Sequence, residues 1–225
     1  MPDWWLQKNP DDVSARFDGK PRDRSYERQA LASKRWLREA RIPLAALTEH
    51  VRNASWGDRV WGANVAENTN WEWFWWHGRG GKPYVTGASP ADVATFRAML
   101  WRKYATDAEL AARWGDPAVT LDTAEMPPEA LHRSASVGTL LDTKRDQRLM
   151  DWFEFRNLAL AEAVIDLCRS LKEFSGGAWL TGAYYGSFVS QCCGVGYPIQ
   201  DFKYLIVSIR RKKPVMFRFH SKYCP

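Results

Sequence analysis

Two short apolar runs set the terms on which this chain can fold. Arg59-Val-Trp-Gly-Ala-Asn-Val-Ala66 and Ala178-Trp-Leu-Thr-Gly-Ala-Tyr-Tyr185 are each bounded by turn formers and are too short for helices, so both predict buried strands. Between them the pattern is helical. Ser89-Pro90 supplies a capping serine and a first-turn proline, predicting a helix to about Tyr104. Thr106-Asp-Ala-Glu109 is a capping box for a short helix that Gly115 ends. Residues 143–174 predict one long amphipathic helix, with Leu149, Trp152, Phe153, Leu160, Val164 and Leu167 toward the core and Gly176-Gly177 as its stop. On that helix Asp151, Glu154 and Glu162 read as solvated. Strands alternating with helices imply an α/β fold, a parallel sheet with right-handed crossovers. Two strands do not close a barrel, but they fit the middle of one. In such barrels the active site lies at the C-terminal ends of the strands. Stretches 67–77 and 184–186 both fall at such ends and are expected to meet on one face.

Upstream, residues 9–28 are polar and turn-rich and predict a long loop. Residues 29–41 predict a helix, and Pro43 is placed to open the next one, with Leu44, Leu47 and Val51 on one face. Residues 116–141 predict an irregular, proline-marked connection. Toward the end, residues 197–209 read as a helix and 214–219 as a strand.

Thirteen of the 225 residues are tryptophan, ordinarily among the rarest residue types. Four of them, Trp71, Trp73, Trp75 and Trp76, surround one carboxylate in Asn70-Trp-Glu72-Trp-Phe-Trp-Trp-His77. Two readings of that stretch stand side by side. In one, alternation makes it a strand with a buried face and Glu72 on the solvent side. In the other, Glu72 is an acid among flat surfaces: indole faces stack on the apolar side of a sugar ring, and their N–H groups bond hydroxyls. Apolar walls also disfavour the charged form of a carboxyl group, as a general acid near neutral pH requires. Asn64, Asn68 and Asn70 add donors and acceptors, and His77 is placed to bond a substrate hydroxyl; turn-forming and structural roles are the plainer alternatives. Tyr184 and Tyr185 line the same pocket or pack the floor beneath it.

Charge and cysteines exclude several classes. From Asp201 to the end there are seven basic residues and one acid, which accounts for the whole formal charge of +6 and leaves residues 1–200 neutral. One basic tail without a basic face on the body argues against nucleic acid as a partner. Cys168, Cys192, Cys193 and Cys224 lack metal-ligand spacing, and His50, His77, His132 and His220 are scattered, so no metal and no cofactor are expected. No apolar run approaches the ~20 residues of a membrane span, and no signal peptide is visible, which reads as a cytoplasmic protein with no membrane partner.

The order of several segments carries a resemblance. Phe96-Arg-Ala-Met-Leu-Trp-Arg-Lys-Tyr-Ala-Thr-Asp-Ala-Glu-Leu-Ala-Ala-Arg-Trp-Gly115 resembles the F-R-x-W-L-x-x-K-Y-x-T-x-x-x-L-N-x-A-W-G segment of glycoside hydrolase family 42 beta-galactosidases and their relatives. Pro2-Asp-Trp-Trp-Leu6 is similar to their P-x-W-W-L, Val60-Trp-Gly-Ala-Asn-Val-Ala66 to their I-G-Y-H-I-A strand, and Gly182-Ala-Tyr-Tyr-Gly186 to their G-A-F-Y-G strand end. The resemblance covers residues 2–190 in consistent order. It implies a (β/α)8 TIM barrel, present here in part, with parallel strands, long crossover helices and retaining hydrolysis of a glycosidic bond. It places Glu72 at the relatives' E-W position as acid/base. Glu67, in Ala-Glu-Asn, is the competitor, because other members carry the acid as N-E close behind the strand. The family nucleophile lies on a seventh strand, and no residue here matches it.

The expected organisation is therefore a partial TIM-barrel glycosidase domain over 1–190 and a divergent basic segment over 191–225. The expected partner is a carbohydrate substrate, bound by Trp71, Trp73, Trp75, Trp76, Asn64, Asn68, His77, Tyr184 and Tyr185 around Glu72 or Glu67. A non-catalytic carbohydrate-binding or vestigial fragment is the alternative, and an interaction protein using its basic tail on an acidic partner is another. The unpaired sheet edges of a half-barrel invite a homo-oligomer.

Overall fold

A computed structural model of the chain describes residues 2–14, 28–67, 72–73, 75, 87–128, 130–131, 141–185 and 216–217, with backbone alone at 72, 185, 216 and 217. The helices are α1 (Asp3–Lys8), α2 (Lys34–Asn53), α3 (Pro90–Lys103), α4 (Asp107–Trp114) and α5 (Gln147–Phe174). The strands are β1 (Gly62–Val65), β2 (Glu72–Trp73), β3 (Leu180–Tyr185) and β4 (Met216–Phe217). Every strand pairs in parallel with β3. The chain is thus mixed α/β with a parallel sheet, and the described strands do not close a barrel.

Register gives the sheet two unlike faces. Gly62–Val65 pair with Leu180–Ala183, and Glu72 and Trp73 pair with Tyr184 and Tyr185. Alternate positions along a strand share a face. Val65 and Ala183 belong to the buried core, with Ala63 packed against it and Thr181 buried beside them. Positions 62, 64, 72, 180, 182 and 184 take the opposite face, where Asn64 and Leu180 are exposed. At Gly62 the strands come so close that an added Cβ would lie 2.2 Å from the Leu180 carbonyl oxygen, which is why no side chain occupies that position.

The buried face rests on α5, whose Leu149, Trp152, Phe155, Leu160, Val164, Leu167 and Leu171 are all buried. This helix packs against α2, α3, α4, β1 and β3 and forms the spine of the core. Asp151 corrects the expectation of a solvated acid. It is fully buried, and accepts from Tyr104 Oη, Trp114 Nε1 and Gln147 Nε2, each at 2.7 Å, with Lys103 Nζ at 2.8 Å. Side chains from three helices thus satisfy one carboxylate, the condition under which a buried charge is tolerated.

A second difference concerns α2. Residues 34–53 form one helix through Pro43, not two. Ser33 caps it by accepting from the Trp36 N–H at 2.9 Å. Trp36, Thr48 and Val51 are buried on both sides of the proline, whereas Ile42, Pro43 and Leu47 face solvent. The carbonyl that loses its donor to proline therefore lies on the wet side, where water replaces it, and tertiary packing carries the helix through. The expected strand at 214–219 appears as β4 within the basic segment, returning that part of the tail to the sheet.

Candidate functional site

The two stretches expected to meet do so. Glu72 and Trp73 lie beside Tyr184 and Tyr185 at the C-terminal end of β3, where Val65, the last residue of β1, pairs with Ala183. Glu72 takes a register position on the open face, shared with positions 64, 182 and 184. Asn64 is exposed and Tyr184 half-buried on that face.

Trp73 takes the other face. Its side chain is 1% exposed, its Nε1–H donates to the Val65 carbonyl at 3.0 Å, and its ring tilts against Trp36 with centroids 6.3 Å apart. Trp75 is 2% exposed and donates from Nε1 to the Arg156 carbonyl at 2.8 Å, with Phe155 at 6.0 Å between centroids. The sequence reading expected both indoles to face a sugar. In the structure they are part of the core, and their N–H groups are committed to backbone carbonyls. Burial of both tryptophans matches the strand reading of this stretch, in which position 72 takes the other face. Asn68, Asn70, Trp71, Trp76 and His77 lie outside the described residues, as does the side chain of Tyr185.

Glu67 is already engaged. Its side chain is 5% exposed, its Oε1 accepts from Gln29 Nε2 at 3.0 Å, and the Arg28 guanidinium lies at 3.8 Å. Those partners are held in turn by the pairing of residues 12–14 with 28–30, through Ser14 N–H to Arg28 O at 2.8 Å and Ala30 N–H to Asp12 O at 2.7 Å. Glu67 thereby clasps this segment to the end of β1.

Two residues of the neighbourhood were not singled out by sequence. Arg156 on α5 is buried, with its guanidinium 5.2 Å from the Trp75 ring centroid and 4.5 Å from that of Trp152. Asp92, in the first turn of α3, is fully buried and shares a capping box with Ser89. Burial pushes its carboxyl up to about 6, against the hydrogen bonds from Ser89 and the charge of Arg156. The Ser-Pro-x-Asp pattern announces the cap, but nothing in it announces the depth. Among the described residues no three His, Cys, Asp or Glu side chains gather as metal ligands.

Comparison with solved structures places this parallel α/β layer among known folds. No family model matches the chain, and no characterised protein matches it in sequence. The beta-galactosidase from Bacillus circulans sp. alkalophilus superposes with a TM-score of 0.64 at 17% identity, covering 100% of this chain and 30% of that one. A catalytic mutant of Gan42B, a GH42 beta-galactosidase from G. stearothermophilus, gives 0.62 at 13% identity, covering 98% and 28%. The catalytic domain of beta-amylase from Paenibacillus polymyxa gives 0.67 at 13% identity, covering 97% and 55%. The chain therefore shares its fold with part of each of these structures, and spans less than a third of those beta-galactosidase chains. No helix among the described residues is long and apolar enough to cross a membrane.

Proposed function

We propose that the open sheet face is a sugar site and that Glu72 is the acid/base of a retaining, beta-galactosidase-type glycoside hydrolysis. The observation that supports this is the register of Glu72 beside Tyr184, at the C-terminal end of a parallel sheet and on the face away from the helices. In barrels of this kind that face and that end hold the reacting groups. Trp73 and Trp75 are then the apolar floor behind the acid rather than platforms for the sugar. Trp71, Trp76, Asn64, Asn68, His77 and Tyr184 are the groups assigned to the substrate, whereas the register position of Tyr185, paired with Trp73, falls on the other face.

Glu67 is the weaker candidate because Gln29 and Arg28 already engage its carboxylate. A proton donor has to reach the leaving oxygen, and a clasped side chain is spent on its own partners. Retention needs a second carboxyl about 5–5.5 Å from the first, and none among the described residues is assigned that part. Together with the short span relative to the beta-galactosidases, this favours one second reading, a carbohydrate-binding fragment without chemistry.

A panel of nitrophenyl glycosides, run with the wild type, Glu72→Gln and Glu67→Gln, separates these readings. Hydrolysis lost in Glu72→Gln alone supports the assignment. Quenching of tryptophan fluorescence by galactosides without hydrolysis supports the binding fragment. Neither signal would leave the sugar site without support.

A further inference from the structure

We propose that Arg156 is a positioning residue for the Glu72 segment, acting through Trp75; this rests on the reading of Glu72 given above. Trp75 lies three residues beyond Glu72 and is held from several sides. Its edge is held where Nε1–H meets the Arg156 carbonyl at 2.8 Å. Its ring is engaged by the Arg156 guanidinium at 5.2 Å and by Phe155, tilted at 56°. Gly87 lies close by with a φ of 109°, and a Cβ added there would stand 3.1 Å from Trp75 Cζ3, tight enough to press on the ring.

The same guanidinium lies 4.5 Å from the Trp152 centroid, so one cation is engaged with two indoles, one on α5 and one on the segment that carries Glu72. Asp92, on α3, supplies the opposite charge. Arg156 and Phe155 of α5 thus hold Trp75 on one side, with Gly87 close on another. A planar guanidinium stacks on aromatic faces in a way an ammonium does not, so lysine is a poor replacement here. Trp75 is two residues from the end of β2, and the covalent chain is the route by which its position bears on Glu72. Misplacement of a reacting group by about 1 Å is enough to lose roughly a hundredfold in rate.

The test compares hydrogen exchange at residues 72–75 in the wild type, Arg156→Lys, Arg156→Met and Trp75→Phe. Exchange there is expected to quicken about tenfold in Arg156→Met and less in Arg156→Lys, while α3 and α4 keep their protection. Trp75→Phe keeps a ring but loses the N–H donor, and the same local quickening is expected; this variant decides the matter should Arg156→Met fail to fold. With any hydrolysed glycoside, kcat is expected to fall with KM little changed. Unchanged exchange at 72–75, or an equal rise throughout the protein, would overturn the proposal. A wild type that hydrolyses nothing would instead count against the glycosidase reading, and the exchange result would still decide the role of Arg156.

Discussion

Asp92 and Asp151 are both wholly buried, and they face opposite conditions. Asp151 has four donors around it. Replacing it with alanine strands those donors and removes the charge opposite Lys103, for an expected loss of about 3–5 kcal/mol, read as a drop in the urea midpoint. Asp92 has Ser89 on one oxygen and no hydrogen-bond partner on Oδ1, and its carboxyl is raised to about 6. The folded protein therefore holds this proton more tightly than the unfolded chain does. Stability from this group is full below about pH 4 and declines as pH rises toward 6, by about 3 kcal/mol in all. Asp92→Asn removes that decline. Measured by urea unfolding from pH 4 to 7, the stability gap should move in favour of the variant by about 2–3 kcal/mol; parallel curves would contradict it. Sequence shows the capping role of Asp92, because capping is local. It misreads Asp151 because its donors come from three helices, and a helix pattern records only its own polarity.

β1 and β3 are the elements on which the site hangs, and their contact is set by Gly62. Gly62→Ala places a Cβ against the Leu180 carbonyl and is expected to cost about 1–3 kcal/mol, checked by thermal or urea unfolding. Both strands are legible as apolar runs between turn formers, and the parallel pairing follows from the helices between them. The capping residues of α2, α3 and α4 fall where Ser33, Ser89 and Thr106 accept their backbone N–H groups. Pro43 misleads, because its cost depends on which way the missing donor faces. β2 is legible only in part: alternation in Trp71-Glu72-Trp73 suggests a strand, whereas its pairing with the end of β3 is a tertiary fact. The same alternation explains why Trp73 and Trp75 are core and why position 72 takes the other face.

Among the described residues the helices back one face of the sheet, and the other face carries the exposed Asn64 and Leu180. Leu180 is 55% exposed on that face, and the described strands give β1 no partner besides β3. Unpaired edges and uncovered apolar positions favour association. Sedimentation velocity is expected to show a concentration-dependent dimer or larger species, weakened by Leu180→Lys; a monodisperse monomer at all concentrations would contradict this. The class of fold was readable from the order of motifs.

The central claim is that Glu72 delivers a proton to the leaving group. It is tested most directly by comparing galactosides with a poor alcohol leaving group and with dinitrophenolate, which departs without protonation. Glu72→Gln should lose about 10²–10⁴-fold on the first and far less on the second, while Glu67→Gln changes both alike. The same leaving-group dependence in Glu67→Gln, or equal losses on both substrates in Glu72→Gln, would contradict the account.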